Sequence, residues 1–149
     1  MEDAYAPDPA KLEALLSAKP KRGGVWEADV FAALSTARDA DGEYQPLMTM
    51  IVDGATGFVL SARMFGRAYR AIDALGDDLL DAAARGSALP ESVDVKDAAT
   101  AAGLAAFAAK LGVALESDRP LNALYAARRA LSVPRSGPAR PTRRPTRRG

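Results

Sequence analysis

Three consecutive stretches decide the fold of this chain: VWEADVFAAL at residues 25–34, QPLMTMIVD at residues 45–53 and FVLSARMF at residues 58–65. Each is a short run rich in apolar residues and bounded by turn-forming residues, which is typical of a β-strand. Asp41-Gly42 in the first link and Asp53-Gly54 in the second are turn signals. Because short links join antiparallel neighbours, we expect an antiparallel meander with strands at 25–34, 47–52 and 58–65.

Two helix–strand alternations and a final helix follow these strands. We expect a helix at 67–85, a strand at 92–95, a helix that Asp97 begins and Gly112 ends, a strand at 113–115 and a helix at 121–131. A helix between two strands requires a long crossover, which makes the joined strands parallel.

The orientation of the helices follows from their apolar spacing. Gly86 is expected just after the end of the first of these helices. Four acidic residues of that helix are expected to face solvent: Asp73, Asp77, Asp78 and Asp81. In the last helix, the residues expected to point inward are Leu121, Leu124, Tyr125 and Leu131, and those expected to point outward are Arg128 and Arg129.

Together these elements predict an α/β fold with a mixed five-stranded sheet in the order 3-2-1-4-5. Three antiparallel strands followed by αβαβα is a ribonuclease-H-like topology. It places Asp29 on the central strand and Asp94 at the end of a neighbouring strand. An extra helix precedes the sheet, because Asp8-Pro9 is a strong helix start. We therefore divide the chain into an N-terminal helix and linker (1–24), the ribonuclease-H-like domain (25–133) and a disordered basic Pro/Arg tail (134–149).

Composition excludes several kinds of chemistry. The 149 residues include no cysteine and no histidine, which rules out disulfides, thiolate or imidazole metal ligands and a Ser-His-Asp triad. No apolar run approaches the roughly 18 residues of a membrane span. The N-terminus is acidic and lacks the apolar region of a secretory signal, so we expect a cytoplasmic protein without membrane contact.

The formal net charge of +1 conceals an uneven distribution. Residues 135–149 contain six arginines and no acidic residue. Removing them from the 20 basic residues leaves 14 against 19 acidic ones, so residues 1–134 carry a charge of −5. Arginines spaced by proline attract phosphate without sequence preference. The candidate residues for binding nucleic acid or an acidic protein are Arg140, Arg143, Arg144, Arg147 and Arg148; a merely solubilising tail is the alternative.

Short motifs give the chain two resemblances. Trp26-Glu27-Ala28-Asp29 and the Val-Asp turn at 52–57 are similar to motifs in the catalytic cores of retroviral integrases and DDE transposases, and the likeness extends over about residues 25–115. The chain more closely resembles an uncharacterised bacterial domain family of unknown function. Its members read Val-Trp-Glu-x-Asp and, further on, Val-Asp-x-x-(Ser/Thr)-Gly, a pattern present here between Val25 and Leu60.

The integrase resemblance implies chemistry with two divalent metals held by three carboxylates. Asp29 matches the first carboxylate, and Asp94 or Asp97 could match the second. The third should lie on the last helix, yet no Asp or Glu occurs between residues 120 and 149. Glu116 or Asp118 would have to replace it. Mg²⁺ or Mn²⁺ is a cofactor only if this enzymatic alternative holds; otherwise we expect none.

The same carboxylates also have structural interpretations. Asp97 is expected to cap a helix, Asp53 to form a turn with Gly54, and Trp26 to anchor the core. Asp29 either accepts backbone hydrogen bonds, pairs with an arginine such as Arg63, or has a functional role. The leading prediction is a non-catalytic binding or adaptor module. The alternatives are a metal-dependent phosphodiester-cleaving or strand-transfer enzyme and a structural subunit of a larger assembly.

Overall fold

The computed structural model describes residues 4–132. The helices are α1 (Pro9–Ser17), α2 (Ala71–Gly86), α3 (Ala98–Leu111) and α4 (Asn122–Ser132). The strands are β1 (Lys21–Arg22), β2 (Val25–Ala32), β3 (Ala37–Asp39), β4 (Gly42–Tyr44), β5 (Leu47–Asp53), β6 (Val59–Phe65), β7 (Ala88–Leu89), β8 (Ser92–Asp94) and β9 (Ala114–Glu116). In this part of the chain no helix is both long and apolar enough to cross a bilayer.

A five-stranded mixed sheet in the order β6-β5-β2-β8-β9 forms the centre of the molecule. β5 pairs antiparallel with both β2 and β6, as expected for strands joined by short links. β8 pairs parallel with β2 and β9, because helices α2 and α3 provide the crossovers. The predicted α/β class and mixed five-stranded sheet are confirmed, and β2 is the central strand.

Two short pairings lie outside the main sheet. β3 and β4 form a small hairpin at the Asp41-Gly42 turn signal, within the connection that was expected to be polar. β1 pairs parallel with β7, so the segment expected to be a linker before β2 is partly strand.

The two faces of the sheet carry different helices. Trp26, Ala28 and Val30 of β2 belong to the larger apolar core, which α2 and α3 cover. Met50 and Val52 of β5 belong to the smaller core on the other face, against Leu121 and Leu124 at the start of α4. Since side chains alternate along a strand, Glu27 and Asp29 of β2 share the face of α4. The fold therefore buries acidic side chains beneath its last helix.

The helix ends agree with the expected caps at the start of α1 and at both ends of α3, and they differ at the end of α2. Asp8 accepts the N–H of Ala10 at 2.9 Å at the start of α1, and Gly112 takes the left-handed conformation after α3. α2 begins at Ala71 rather than at residue 67, and it includes Gly86. The left-handed position after α2 is held by Ser87, with φ 48°, so the expectation for Gly86 was wrong.

Asp78 of α2 was expected to face solvent, and this was wrong, because the residue is completely buried. Its carboxylate accepts hydrogen bonds from the hydroxyls of Thr49 at 2.7 Å and Ser61 at 2.6 Å, and Arg63 lies 3.6 Å away. These partners compensate the lost hydration of the charge. Arg63 thus pairs with Asp78 and, at 2.7 Å, with Asp81. Of the alternatives left open for Asp29, the Arg63 pair is not found among the described residues, whereas a backbone hydrogen bond is.

The outer part of α4 also differs from expectation. Tyr125 and Leu131 were expected to point inward, but both are exposed. Arg128, expected to face outward, instead places its guanidinium 3.8 Å from the ring centre of Phe31. Only the first turn of α4 is anchored by buried leucines, so the helix lies on the sheet mainly through its N-terminal end.

Replacing Asp78 with alanine is expected to lower the free energy of unfolding by about 3 kcal/mol, because two buried hydroxyls and Arg63 lose their acceptor. Asp41→Ala is the matched control. Asp41 is exposed between β3 and β4, and its replacement should change stability by no more than about 0.5 kcal/mol. Urea unfolding followed by circular dichroism measures both. Equal effects of the two substitutions would contradict the role of Asp78.

Candidate functional site

Asp29 lies on the central strand and is almost fully buried. Its carboxylate accepts the backbone N–H of Val30 at 2.8 Å and lies 3.5 Å from the ammonium of Lys96. Burial raises the pKa of Asp29, and Lys96, the Val30 N–H and Arg128 oppose that rise. The charge at the centre of the sheet is therefore balanced by groups of the same chain.

Lys96 reaches Asp29 because of the parallel register. Glu27 of β2 and Asp94 of β8 are register partners in a parallel pair. Two residues further along both segments, Asp29 therefore lies beside Lys96. The Lys96 ammonium also donates to the carbonyl oxygen of Val30 at 3.3 Å. Its two contacts hold it over the carboxyl end of β2.

Glu27 is a buried acid with a structural partner. Its Oε1 accepts the backbone N–H of Leu124 at 2.8 Å. That N–H belongs to the first turn of α4, where backbone donors have no partner within the helix. A carboxylate at this end also interacts favourably with the helix dipole. Glu27 thus fixes where α4 begins on the sheet.

Asp94 is buried without a comparable partner. It is 5% exposed, and its Oδ1 has no hydrogen-bond donor among the described residues. Burial raises the pKa of Asp94; Arg119 opposes this, whereas Glu116 and Asp118 add to it. Glu116 is the register partner of Asp94 on β9, so the two side chains share the α4 face of the sheet.

Asp97 does not belong to this face. Its carboxylate accepts the Thr100 N–H at 2.9 Å and the Thr100 hydroxyl at 2.7 Å, which caps α3 and lowers the pKa of Asp97. The structural interpretation of Asp53 agrees as well, since it accepts the N–H groups of Ala55 and Thr56. Trp26 lies in the core, also as expected.

The acidic candidates share a region but do not form one ion-binding centre. Within residues 4–132 no group of three or more acidic side chains is arranged to hold a metal ion. Asp29 is engaged by Lys96, Asp97 caps a helix, and Asp94, Glu116 and Asp118 lie toward the β9 edge. The tail candidates Arg140, Arg143, Arg144, Arg147 and Arg148 lie outside the described residues.

Residues 11–132 match the family described as "Domain of unknown function (DUF6930)". This covers well over half of the sequence, and the chain belongs to that family. The expectation of a family without an assigned function is thus confirmed. None of the curated proteins compared with the chain matches it.

Among solved structures, the chain is similar to the catalytic core domain of BIV integrase, with a TM-score of 0.46 and 12% identity over 72% of this chain. The alignment spans 65% of that integrase chain, slightly less than two thirds. It is also similar to the HTLV-2 integrase catalytic core domain, solved in complex with magnesium, with a TM-score of 0.45 and 11% identity over 72% of this chain and 83% of that one.

Two residues of this region were missed from the sequence. Lys96 stands between a predicted strand and a predicted cap, where a lysine is ordinarily solvated, so its position in the sequence gives no signal. Strand alternation puts Glu27 on the same side as Asp29 but does not show that it meets the start of α4. The signal for both is the strand register: once Glu27 is placed opposite Asp94, the position of Lys96 beside Asp29 follows.

We predict that Lys96→Met lowers stability at pH 7 by about 1–2 kcal/mol, because Asp29 is left as a buried charge without its cation; the 41% exposure of the Lys96 side chain keeps the effect below that of a fully buried pair. Lys110→Met, at an exposed position near the end of α3, should have little effect.

The destabilisation should depend on pH in a defined direction. The folded-state pKa of Asp29 is raised, so the folded protein holds its proton more tightly than the unfolded chain, and stability falls as pH rises through that pKa. Removing Lys96 raises this pKa further. Thermal melting should therefore show a smaller difference between Lys96→Met and wild type near pH 4 than at pH 7, and a destabilisation independent of pH would contradict this account.

Proposed function

We propose that this chain is a non-catalytic binding module on a ribonuclease-H-like scaffold, which contacts the phosphate backbone of nucleic acid through its C-terminal arginines. The observation that carries the non-catalytic part is the Lys96 ammonium, 3.5 Å from the carboxylate of Asp29. It stands beside the acid that the integrase resemblance assigns to the first metal ligand.

A lysine in this position opposes two-metal chemistry. Two divalent ions about 4 Å apart are held by carboxylates between them, and a cationic side chain already paired with such a carboxylate competes with the metal for it. A metal bound by Asp29 would face the Lys96 ammonium at close range, and like charges repel strongly in a partly buried site. Asp97 already satisfies the α3 N-terminus, and no acidic residue follows Pro120. The available donor set supports a retained scaffold better than a working metal centre.

The binding part of the proposal depends on charge. Residues 140–148 carry five arginines and no acid, separated by prolines. Each guanidinium can contact a phosphate through two parallel hydrogen bonds. Such contacts release counterions and lose affinity steeply with salt. An acidic protein would offer carboxylates instead of phosphates. Binding of the arginines to an acidic protein is therefore the alternative that the experiment below must distinguish from binding to nucleic acid.

One observation favours the enzymatic alternative, a metal-dependent phosphodiesterase or strand transferase. The Asp94 Oδ1 is buried without a hydrogen-bond partner among the described residues, and Glu116 lies beside it on the same face. If this alternative holds, the ligands are Asp29, Asp94 and either Glu116 or Asp118, and Mg²⁺ or Mn²⁺ is the cofactor.

Titration with Mg²⁺ and Mn²⁺ separates the two functions. A metal that binds the folded state at 100 times its dissociation constant stabilises it by about 2.7 kcal/mol. We expect that neither metal raises Tm through Asp29, so the wild type and Asp29→Asn should respond alike. We also expect no cleavage of labelled DNA or RNA. Asp41→Asn is the control for a nonspecific charge effect. A rise in Tm together with cleavage, both abolished by Asp29→Asn, would establish the enzyme instead.

A second experiment tests the arginines. Replacing Arg143, Arg144, Arg147 and Arg148 with alanine should weaken binding to a short DNA duplex and reduce the slope of log K against log salt by roughly 0.9 for each phosphate that is no longer neutralised. The matched control replaces the same four residues with lysine, which keeps the charge and should preserve most of the slope. Fluorescence anisotropy between about 50 and 200 mM salt measures both. An unchanged slope in the alanine variant, or binding to polyglutamate but not to DNA, would eliminate the nucleic-acid proposal.

A further inference from the structure

Acidic side chains lie on β8, on β9 and just beyond β9, toward one edge of the sheet. We call Asp94, Glu116 and Asp118 the acid cluster. Leu121 and Leu124 at the start of α4 pack against Met50 and Val52 of β5, and the main contacts of α4 are with β5 and β2 rather than with β8 and β9. Glu116, at the end of β9, is partly exposed. Asp118, two residues beyond it, is exposed. The backbone carbonyl oxygen of Glu116 accepts the Val95 N–H at 2.8 Å, but no hydrogen bond or ion pair of the Glu116 or Asp118 side chain is found among the described residues.

Asp94 gives the acid cluster an unsatisfied group. Its side chain is only 5% exposed, and its Oδ1 has no hydrogen-bond donor among residues 4–132. A buried carboxylate oxygen without a donor is costly, and a cation held at the neighbouring Glu116 and Asp118 would compensate part of its charge. Arg119 is near enough to favour the charged form of Asp94, but it forms no ion pair with it among the described residues. Three acids and one arginine leave the cluster negative.

The geometry favours a broad cation over a metal ion. The described carboxylates form no group of three that could close around a metal. A guanidinium is planar and carries five N–H donors, so it can bridge carboxylates that are too far apart to share one ion. The complementary ligand is an arginine-rich segment that carries no acid.

We propose that the acid cluster binds an arginine of the chain's own C-terminal segment, residues 140–148. The segment then alternates between the acid cluster and the phosphates of a nucleic acid. This alternation rests on the proposed function, whereas the docking on the acid cluster does not depend on it. Charge complementarity favours this segment as the ligand. Residues 140–148 contain five arginines and no acidic residue, whereas residues 1–134 carry a net charge of −5.

The length of the chain allows this contact. α4 ends at Ser132, and its 11 residues span about 16 Å at 1.5 Å each. Its first turn is fixed by the Glu27–Leu124 hydrogen bond, and the acid cluster lies one to two strands away, at about 5 Å a strand. The eight residues from Ser132 to Arg140 can extend about 25 Å at roughly 3.1 Å each. A segment tethered at this range has an effective concentration in the millimolar range.

The test uses the full chain and a spin label. The protein has no cysteine, so Thr142→Cys provides a unique attachment point between Arg140 and Arg143. At low salt we expect the label to broaden the backbone amide signals of residues 115–119 more than those of β3 and β4. The broadening should disappear at about 1 M salt, where the Debye length is near 3 Å. It should be independent of protein concentration, as an intramolecular contact requires.

The deciding variant is Glu116→Gln with Asp118→Asn, which removes two charges and keeps side-chain size. It should abolish the selective broadening. Asp41→Asn with Glu43→Gln makes the same charge change on the β3–β4 hairpin and should leave it intact. Amide spectra report whether each variant is folded. Broadening that is spread evenly over the body, unaffected by Glu116→Gln with Asp118→Asn, or proportional to protein concentration would overturn the docking.

DNA binding by the same variants separates this inference from the proposed function. If the segment is docked half of the time, freeing it should tighten DNA binding about twofold in Glu116→Gln with Asp118→Asn relative to the hairpin control. Selective broadening without any DNA binding would support the docking and reject the nucleic-acid function. DNA binding equal in the two double variants, with no selective broadening, would retain the function and reject the docking.

Discussion

The register between β2 and β8 is the constraint on which the α4 face of the sheet depends. It places Glu27 beside Asp94 and Asp29 beside Lys96, on the middle strands of the sheet. Buried carboxylates must find donors or ions of opposite charge. Glu27 takes an N–H from the start of α4 and thereby positions that helix, and Asp29 takes the lysine that follows β8. Asp94 is left with one oxygen unsatisfied among the described residues.

The connectivity could be predicted because it depends on link lengths and on strand composition. Short polar links require antiparallel neighbours and helical crossovers require parallel ones, and these two rules place β2 in the middle. The caps at Asp8 and Asp97 were also predictable, because capping depends on side chains only a few residues apart. These properties need no knowledge of how distant segments meet.

Contacts between distant segments were harder to predict. Asp78 follows Leu75 by three residues and Ala74 by four, so helical periodicity alone puts it on the buried side of α2; the assumption that an acid faces water was the error. Its partners, Thr49 and Ser61, are hydroxyls within otherwise apolar strands, and they come together only when the sheet and α2 pack. The Lys96–Asp29 pair likewise depends on a register that the sequence leaves open.

The N-terminal residues have a practical meaning for where this domain can be cut. The Tyr5 ring lies edge-on to Phe107, its hydroxyl donates to Asp77 at 2.6 Å, and its backbone N–H reaches the carbonyl oxygen of Gly103. Gly76 leaves room for this ring, since a Cβ there would come within 2.5 Å of it. The family match begins at residue 11, beyond this tyrosine. A fragment trimmed to that boundary would uncover the seam between α2 and α3 and expose apolar surface that favours aggregation.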